Sequence, residues 1–183
     1  MRHSELLIKY SKLELSDCVY NWLVDFFRGH THCSRFGGEE SEFISISASI
    51  IQGSAAGPAS FVVTGSDLHP LTAGNLMVKF ADDTYLIIPA SNSGSCAREI
   101  NHVEEWAMLN NLQLNRAKSV EIVFVLPRCR RTVVIPAPAV PDIPRVEVIK
   151  VLGVTLTRKL SVAQHVDQLL VSYAQSMFAL CTL

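Results

Sequence analysis

Two adjacent carboxylates, Asp82 and Asp83, interrupt an otherwise apolar stretch of the chain. The segments on either side, 75–80 and 84–88, are rich in β-branched and aromatic residues, which is typical of strands. The pattern predicts a hairpin with two negative charges side by side at its tip. Like charges this close repel each other unless a cation lies nearby, and Mg²⁺ prefers such oxygen ligands. From these residues only, a solvated turn, which Asp favours, is the simpler interpretation.

A second segment, 51–58, combines small residues with a proline. Taken together with the Asp pair, it makes a metal site the preferred interpretation over a solvated turn. Gly53 and Gly57 permit close backbone approach or a positive φ, and Pro58 suits the first turn of a helix. A template strand or a nucleotide can press against the backbone of such a turn. An ordinary connection between a strand and a helix has the same composition, so this segment alone identifies no site.

Taken in this order and at this spacing, the two segments resemble those of reverse transcriptases. The closer resemblance is to the palm of LINE-type (non-LTR) retrotransposon polymerases. That family carries a Gly-aliphatic-Pro-Gln-Gly-Ser-x-Leu-Gly-Pro block, followed by an aromatic-Ala-Asp-Asp block. The matching residues here are Gln52, Gly53, Ser54, Gly57 and Pro58 for the first block and Phe80, Ala81, Asp82 and Asp83 for the second. Further matches lie at 2–7, 22–23, 106–118, 151–156 and 165–166, so the resemblance covers nearly the whole chain.

The resemblance implies a role for each matched residue. Asp82 and Asp83 would hold Mg²⁺, or Mn²⁺, against the primer 3′-hydroxyl and the leaving pyrophosphate. Lys118 would complete the catalytic set by contacting or protonating that pyrophosphate, although a solvated lysine has the same pattern. In the intact parent protein, the implied partners are an RNA template, a DNA primer and a deoxynucleoside triphosphate.

The remaining assignments concern contacts with these partners. Gln52 and Gly53 would contact the template or the incoming nucleotide, or would be plain turn residues. Phe80 and Ala81 would shape the same region beside the primer. Leu152 and Gly153 would position the primer, although a buried strand would give the same sequence pattern.

A two-metal polymerase needs a third carboxylate, which the family places on a strand just before the segment that Arg2 opens here. Residues 1–183 contain neither that strand nor the fingers, so we expect an incomplete palm that is inactive alone. The first block is also altered, because Ser49, Ile51 and Ala56 stand where the family has Gly, Pro and Leu. Losing that Gly obstructs the backbone if the position requires a positive φ. These departures support an alternative, a non-catalytic relic of a decayed element.

Two further site hypotheses have less support. Nucleotide cyclases also place metal-binding carboxylates on a palm-like sheet, but they would need a Gly-rich phosphate turn and a second acidic strand, and neither is evident. His30, His32 and Cys33 lie close enough to suggest zinc, but a fourth ligand is lacking.

Composition fits a folded domain. A hydrophobic content of 49% with 18% charged residues excludes a disordered tail, and the mean hydropathy of +0.26 predicts exposed apolar side chains. The net charge of −1 does not indicate nucleic-acid binding, and the basic cluster of Arg128, Arg130 and Arg131 could either contact phosphates or form a solvated loop. The five scattered cysteines indicate an intracellular protein, which the family would place in cytoplasm and nucleus. Neither a membrane contact nor an obligate protein partner is evident.

The hydrophobic pattern predicts an α+β fold, with an antiparallel palm sheet and helices on one face of it. We expect helices at about 4–12, 17–28, 57–68, 93–110 and from 161. We expect strands at about 31–36, 43–50, 121–126 and 146–157, besides those around the Asp pair. Ile100, Val103, Trp106 and Ala107 should form the buried face of helix 93–110. The expected domains are a partial palm at 1–127, a Pro/Arg-rich link at 128–145, and a palm–thumb junction with the start of the thumb at 146–183.

Overall fold

Helices and short strands alternate along the chain in a computed structural model that describes residues 2–50, 53–125 and 138–181. The chain divides into two compact units, 1–114 and 115–183. The first unit opens with helix α1 (His3–Ser11) and helix α2 (Asp17–Phe27). Their apolar side chains recur four positions apart and therefore lie on one face of each helix. The core cluster formed in this way is Leu6, Tyr10, Leu23 and Phe27.

Four two-residue strands follow the helices. They are β1 (Thr31–His32), β2 (Arg35–Phe36), β3 (Glu39–Glu40) and β4 (Ile44–Ser45). β1 pairs with β4 and β2 with β3, both antiparallel, so one hairpin is nested within the other. The predicted strand pair is confirmed, although each strand is shorter than expected.

Helix α3 (Ala56–Thr64) then leads into two longer strands, β5 (Leu76–Phe80) and β6 (Asp83–Ile87). A 3₁₀ turn at Ala90–Ser95 continues into helix α4 (Cys96–Leu109). On the predicted face of α4, Ala107 is buried, and Ile100, Val103 and Trp106 are half-buried. That prediction is confirmed in position, but the most deeply buried side chain of the helix is a charged one that it did not include, Glu99.

The second unit contains strands β7 (Glu121–Ile122), β8 (Arg145–Val146), β9 (Val148–Val151) and β10 (Val154–Thr157), followed by helix α5 (Ala163–Cys181). β9 and β10 are antiparallel, whereas β7 and β8 are parallel. Arg145 donates two hydrogen bonds to the Glu121 carboxylate, at 2.9 and 3.0 Å, and thereby ties β8 to β7. Arg145, the last residue of the predicted Pro/Arg-rich link, therefore belongs to a strand.

The mixed helix and strand content predicted from the sequence is confirmed. Within the described ranges, the strands form five separate pairs where the sequence predicted one antiparallel sheet. Exposed apolar side chains are also confirmed, among them Phe36 at 90% and Leu109 at 82% exposure. None of the described helices is both long and apolar enough to cross a membrane. The domain limits at 127/128 and 145/146 stay a prediction.

Candidate functional site

The two carboxylates lie at the tip of the β5–β6 hairpin, here called the carboxylate hairpin (residues 76–87). Its register runs from Leu76 opposite Ile87 to Phe80 opposite Asp83, which leaves a two-residue turn of Ala81 and Asp82. Asp82 is therefore a turn residue, and Asp83 is the first residue of β6. Both are exposed. The prediction of two adjacent carboxylates on a hairpin is confirmed in its geometry.

The tight turn imposes a backbone conformation that alanine rarely adopts. Ala81 has a φ of 51°, in the left-handed region where a Cβ crowds the following carbonyl. Of the two carboxylates, Asp83 also has a local partner, because the Tyr85 hydroxyl donates to its Oδ2 at 3.2 Å. The turn thus presents both acidic side chains to solvent from a strained and short connection.

These side chains fit part of a metal site. Mg²⁺ is commonly bound in proteins through one or two carboxylates, with water and substrate phosphates completing the shell. Asp82 and Asp83 can supply the two carboxylates. Among residues whose positions are described, no group of three or more His, Cys, Asp or Glu side chains is arranged to hold a metal. His30, His32 and Cys33 therefore do not form a zinc site. His30 Nε2 instead donates to the Phe26 carbonyl.

The base of the hairpin is held by a set of hydrogen bonds around Glu99, in the first turn of α4. The Glu99 side chain has 0% exposure. Its carboxylate accepts from the N–H of Leu71 at 2.9 Å, the N–H of Thr72 at 2.7 Å and Nδ2 of Asn75 at 2.8 Å. Burial raises the pKa of Glu99, but these hydrogen bonds outweigh it and lower the pKa from 4.5 to about 2. A buried carboxylate is therefore kept ionised directly beside the residue that precedes β5.

Asn75 also forms hydrogen bonds with residues of the segment that follows the hairpin. Its Nδ2 donates to Ser95 Oγ at 3.0 Å, and its Oδ1 accepts from Asn92 Nδ2 at 3.0 Å. Asn92 also donates to the Ala73 carbonyl at 2.9 Å. Both legs of the hairpin are thus joined by side-chain hydrogen bonds. We call Glu99, Asn75, Asn92 and Ser95, with the backbone of 71–73, the basal clamp.

Two lysines join the C-terminal end of α3 to neighbouring elements. Lys79 of β5 donates to the Gly65 carbonyl and, at 2.6 Å, to the Leu68 carbonyl. Lys9 of α1 donates to the Thr64 carbonyl at 2.6 Å and to Asp67 Oδ1 at 2.7 Å. Ammonium groups in this position satisfy carbonyls that a helix end leaves unpaired and complement its dipole. The hairpin is thereby tied to α3, and α3 to α1.

The charged groups around the C-terminal end of α3 shift one another's pKa values. Burial raises the pKa of Asp67, but hydrogen bonds from Lys9 and from Trp106 Nε1, at 2.9 Å, outweigh it and lower the pKa. Burial lowers the pKa of Lys79, and the charge of Lys9 adds to this, while Asp67 opposes it. Trp106, expected to be a core residue, therefore has a polar function as well, since its N–H joins α4 to this cluster.

The structure describes only part of the block around Gln52 that matches the reverse-transcriptase pattern. Gln52 itself lies outside the described residues. Gly53 has a φ of 84°, and a Cβ added there would meet nothing within 4 Å, so the constraint is conformational rather than steric crowding. Ser49 has a φ of 110°, which strongly favours glycine. The condition under which loss of the family's glycine obstructs the backbone, a positive φ at position 49, is therefore met.

The remaining predicted residues belong to the second unit. Leu152 and Gly153 form the two-residue turn between β9 and β10, with φ values of 46° and 89°. Positive φ at both positions is the pattern of a type I′ turn. Leu152 is 54% exposed, so the alternative of a buried strand is wrong. Lys118 is exposed in a turn, where its backbone N–H donates to Asn115.

Comparison with known proteins decides the family. A family model described as reverse transcriptase (RNA-dependent DNA polymerase) matches residues 1–156. The chain belongs to the reverse transcriptase family. No solved structure matches it significantly.

Two curated relatives of this reverse transcriptase segment, both from Drosophila melanogaster, agree with the resemblance to LINE-type, non-LTR elements. "RNA-directed DNA polymerase from mobile element jockey" is 28% identical over 181 residues, which is 91% of this chain and 19% of the relative. "Probable RNA-directed DNA polymerase from transposon X-element" is 27% identical over 161 residues, 82% of this chain and 17% of the relative. The chain therefore spans less than a fifth of each relative.

The structure of this reverse transcriptase segment brings some predicted residues together. Phe80, Ala81, Asp82 and Asp83 share one hairpin, and Gly53 lies in the same unit before α3. Lys118, Leu152 and Gly153 are in the second unit. Sequence reasoning missed the residues that hold the hairpin and α3 in place, which are Lys9, Asp67, Asn75, Lys79 and Glu99. One signal was present, since Glu99 precedes Val103 by four positions and so lies on the predicted buried face.

The ionised state of Glu99 predicts how the stability of the reverse transcriptase segment depends on pH. Its pKa is about 2 in the folded state and 4.5 ordinarily, so Glu99 stabilises the fold fully above pH 4.5. That contribution should be lost as the pH falls from 4.5 through about 2. Urea unfolding at a series of pH values should show a shallower acid loss in Glu99→Gln than in the wild type. Identical pH dependence in both proteins would contradict the assignment.

Proposed function

We propose that the chain is a palm segment of the RNA-directed DNA polymerase of a non-LTR retrotransposon, and that Asp82 and Asp83 are its metal-binding carboxylates. The observation that carries the proposal is the pair of exposed, adjacent carboxylates at a two-residue hairpin turn, within the region that the reverse transcriptase family model covers. The β5–β6 hairpin with α3 and α4 would form part of the palm.

Each side chain then has a defined task. When bound, Mg²⁺ or Mn²⁺ would activate the primer 3′-hydroxyl as a nucleophile and stabilise the negative charge of the leaving pyrophosphate. Asp82, in the turn, and Asp83, at the start of β6, would orient that metal toward the triphosphate. Phe80 and Ala81 would fix the strand and leave space for the primer terminus.

The residues outside the hairpin would contact the substrates. Gln52 and Gly53 would lie against the template or the incoming nucleotide. The positive φ of Gly53 supports this, because it favours glycine, which has no side chain to cover the backbone. Leu152 and Gly153 would support the primer, which the exposed position of Leu152 at a hairpin turn favours. Lys118 would act on the pyrophosphate. RNA template, DNA primer and deoxynucleoside triphosphate are the proposed partners.

Metal binding can be tested on the chain itself with Mn²⁺, which broadens the NMR signals of nearby nuclei. Amide signals of residues 81–84 should broaden selectively at millimolar Mn²⁺ in the wild type. The double change Asp82→Asn with Asp83→Asn should abolish this broadening, because it removes both negative oxygen ligands.

A matched control is available in the β2–β3 hairpin, where Glu39 and Glu40 also form an adjacent acidic pair at a short turn. Glu40 is already engaged in an ion pair with Arg35. Glu39→Gln should therefore leave the broadening of residues 81–84 unchanged. Uniform broadening over the chain, or broadening that survives loss of both aspartates, would refute the metal assignment.

The second candidate function is a non-catalytic relic, and a specific observation favours it for this chain. Ser49 has a φ of 110° at a position where the family has glycine, so the backbone at Ser49 is strained. We expect the 183-residue chain, supplied with an RNA template, a DNA primer, deoxynucleoside triphosphates and Mg²⁺, to extend no primer. Extension that is lost in Asp82→Ala would overturn the relic hypothesis and establish a complete site.

A further inference from the structure

The carboxylate hairpin has few buried contacts of its own. Four of its apolar side chains are exposed, with Leu76 at 60%, Val78 at 51%, Phe80 at 59% and Ile87 at 50%, while Met77, Tyr85 and Leu86 are half-buried. Packing of the four exposed side chains therefore contributes little to its orientation. The basal clamp and the two hydrogen bonds of Lys79 join the hairpin to the segments around it.

The clamp lies at the opposite end of the hairpin from the carboxylates. Five strand residues, Leu76–Phe80, separate Asn75 from the turn, which corresponds to about 17 Å at about 3.4 Å per residue. A tilt of about 10° at the base would move the tip by about 3 Å over that length. Catalytic geometry tolerates displacements of only about 0.5 Å, so the base must be fixed closely.

Within the clamp, Glu99 makes the contacts that cannot be replaced by a neutral side chain. Oε1 accepts from both Thr72 N–H and Asn75 Nδ2, and Oε2 accepts from Leu71 N–H. An amide in place of the carboxylate keeps one acceptor oxygen but turns an N–H₂ group toward the Leu71 donor. Glu99 thus specifies where the segment before β5 sits on α4.

We propose that Glu99 is a positioning residue that sets the orientation of the carboxylate hairpin relative to α3 and α4. The proposal rests on the proposed function, since it is the metal-binding role of Asp82 and Asp83 that gives this orientation a purpose. Glu99 itself lies at the far end of the strands from both aspartates and acts on them through β5.

The test compares wild-type chain with Glu99→Gln by NMR residual dipolar couplings, which report the directions of N–H bonds. Couplings of residues 76–87 should fit a rigid hairpin in both proteins. Relative to α3 and α4, that hairpin should rotate by about 10° or more in the variant. A side chain with a merely stabilising role would lower the unfolding midpoint without rotating one element against the others.

Two further variants make the outcome decisive. Tyr10→Phe removes a buried hydrogen bond of 3.0 Å to Ser60, which involves none of the clamp residues, and should leave the hairpin orientation unchanged. Asn75→Ala removes the clamp partner of Glu99 on the hairpin side and should also rotate the hairpin; it decides the question if Glu99→Gln does not fold.

An unchanged orientation in the folded clamp variants would overturn the proposal. Loss of the β5–β6 cross-strand contacts would also overturn it, because Glu99 would then be required for the hairpin to form rather than to be oriented. Failure of wild-type chain to bind Mn²⁺ at residues 81–84 would count against the proposed function alone, since the dipolar couplings need no metal.

Discussion

Glu99→Ala is expected to lower the free energy of unfolding by about 3 kcal/mol, the largest effect that we predict for a single substitution. The side chain is buried, and its removal leaves three donors, Leu71 N–H, Thr72 N–H and Asn75 Nδ2, without their acceptor. Hydrogen bonds to a charged group contribute about 1.5–3 kcal/mol each, and water entering the space should recover part of the loss. Urea unfolding followed by circular dichroism at pH 7 would measure the difference.

The same helix supplies the control for this experiment. Glu105 is exposed on α4, so Glu105→Ala changes helix propensity and charge without uncovering buried donors. Its effect should stay within about 0.5 kcal/mol. Equal effects of the two alanine substitutions would show that the donors around Glu99 find other partners, and the basal clamp would lose its energetic basis.

Ser49→Gly is expected to raise the free energy of unfolding by about 1–2 kcal/mol. Ser49 has a φ of 110°, a conformation that glycine adopts without a Cβ penalty. The surrounding contacts hold it there: His3 N–H donates to the Ser47 carbonyl at 2.9 Å, and His3 Nε2 donates to the Ser49 carbonyl at 2.8 Å. Both bonds involve backbone oxygens on the Ser side, so glycine preserves them while removing the strain.

The matched control is Ser47→Gly, two residues earlier on the same segment. Ser47 is not among the residues with positive φ, so glycine brings only added freedom to the unfolded chain. That change should destabilise the protein by about 0.5–1 kcal/mol, opposite in sign to Ser49→Gly. If both changes destabilise, the conformation at Ser49 is not strained. Thermal or urea unfolding of the two variants side by side measures the contrast.

The carboxylate hairpin could be predicted from sequence because its information is local. Apolar runs on both sides of Asp82 and Asp83 specify two strands, and a short polar interruption specifies the turn between them. The observed register, with Phe80 opposite Asp83, follows from a two-residue connection. The helices were found for a similar reason, since their apolar residues recur at helical spacing, as Leu6 and Tyr10 do in α1.

The supporting residues could not be found in that way, because their partners are distant in the chain. Lys9 contacts Asp67, 58 positions away, and Glu99 contacts residues 24 to 28 positions away. A charged residue in sequence looks like a solvated one until the fold brings donors to it. Burial could have been predicted from position for Glu99 alone, since Glu99 lies four residues before Val103 on the buried face of α4 that continues to Ala107.

The division of the described strands into separate pairs has a consequence for how the protein behaves at high concentration. A ladder of two strands has no central strand, so each described strand has another described strand on one side only. The other side can pair with a strand of another copy, and the exposed apolar residues of 76–87 would stabilise that contact. We therefore expect the chain to self-associate by strand addition as its concentration rises, and to stay single in dilute solution.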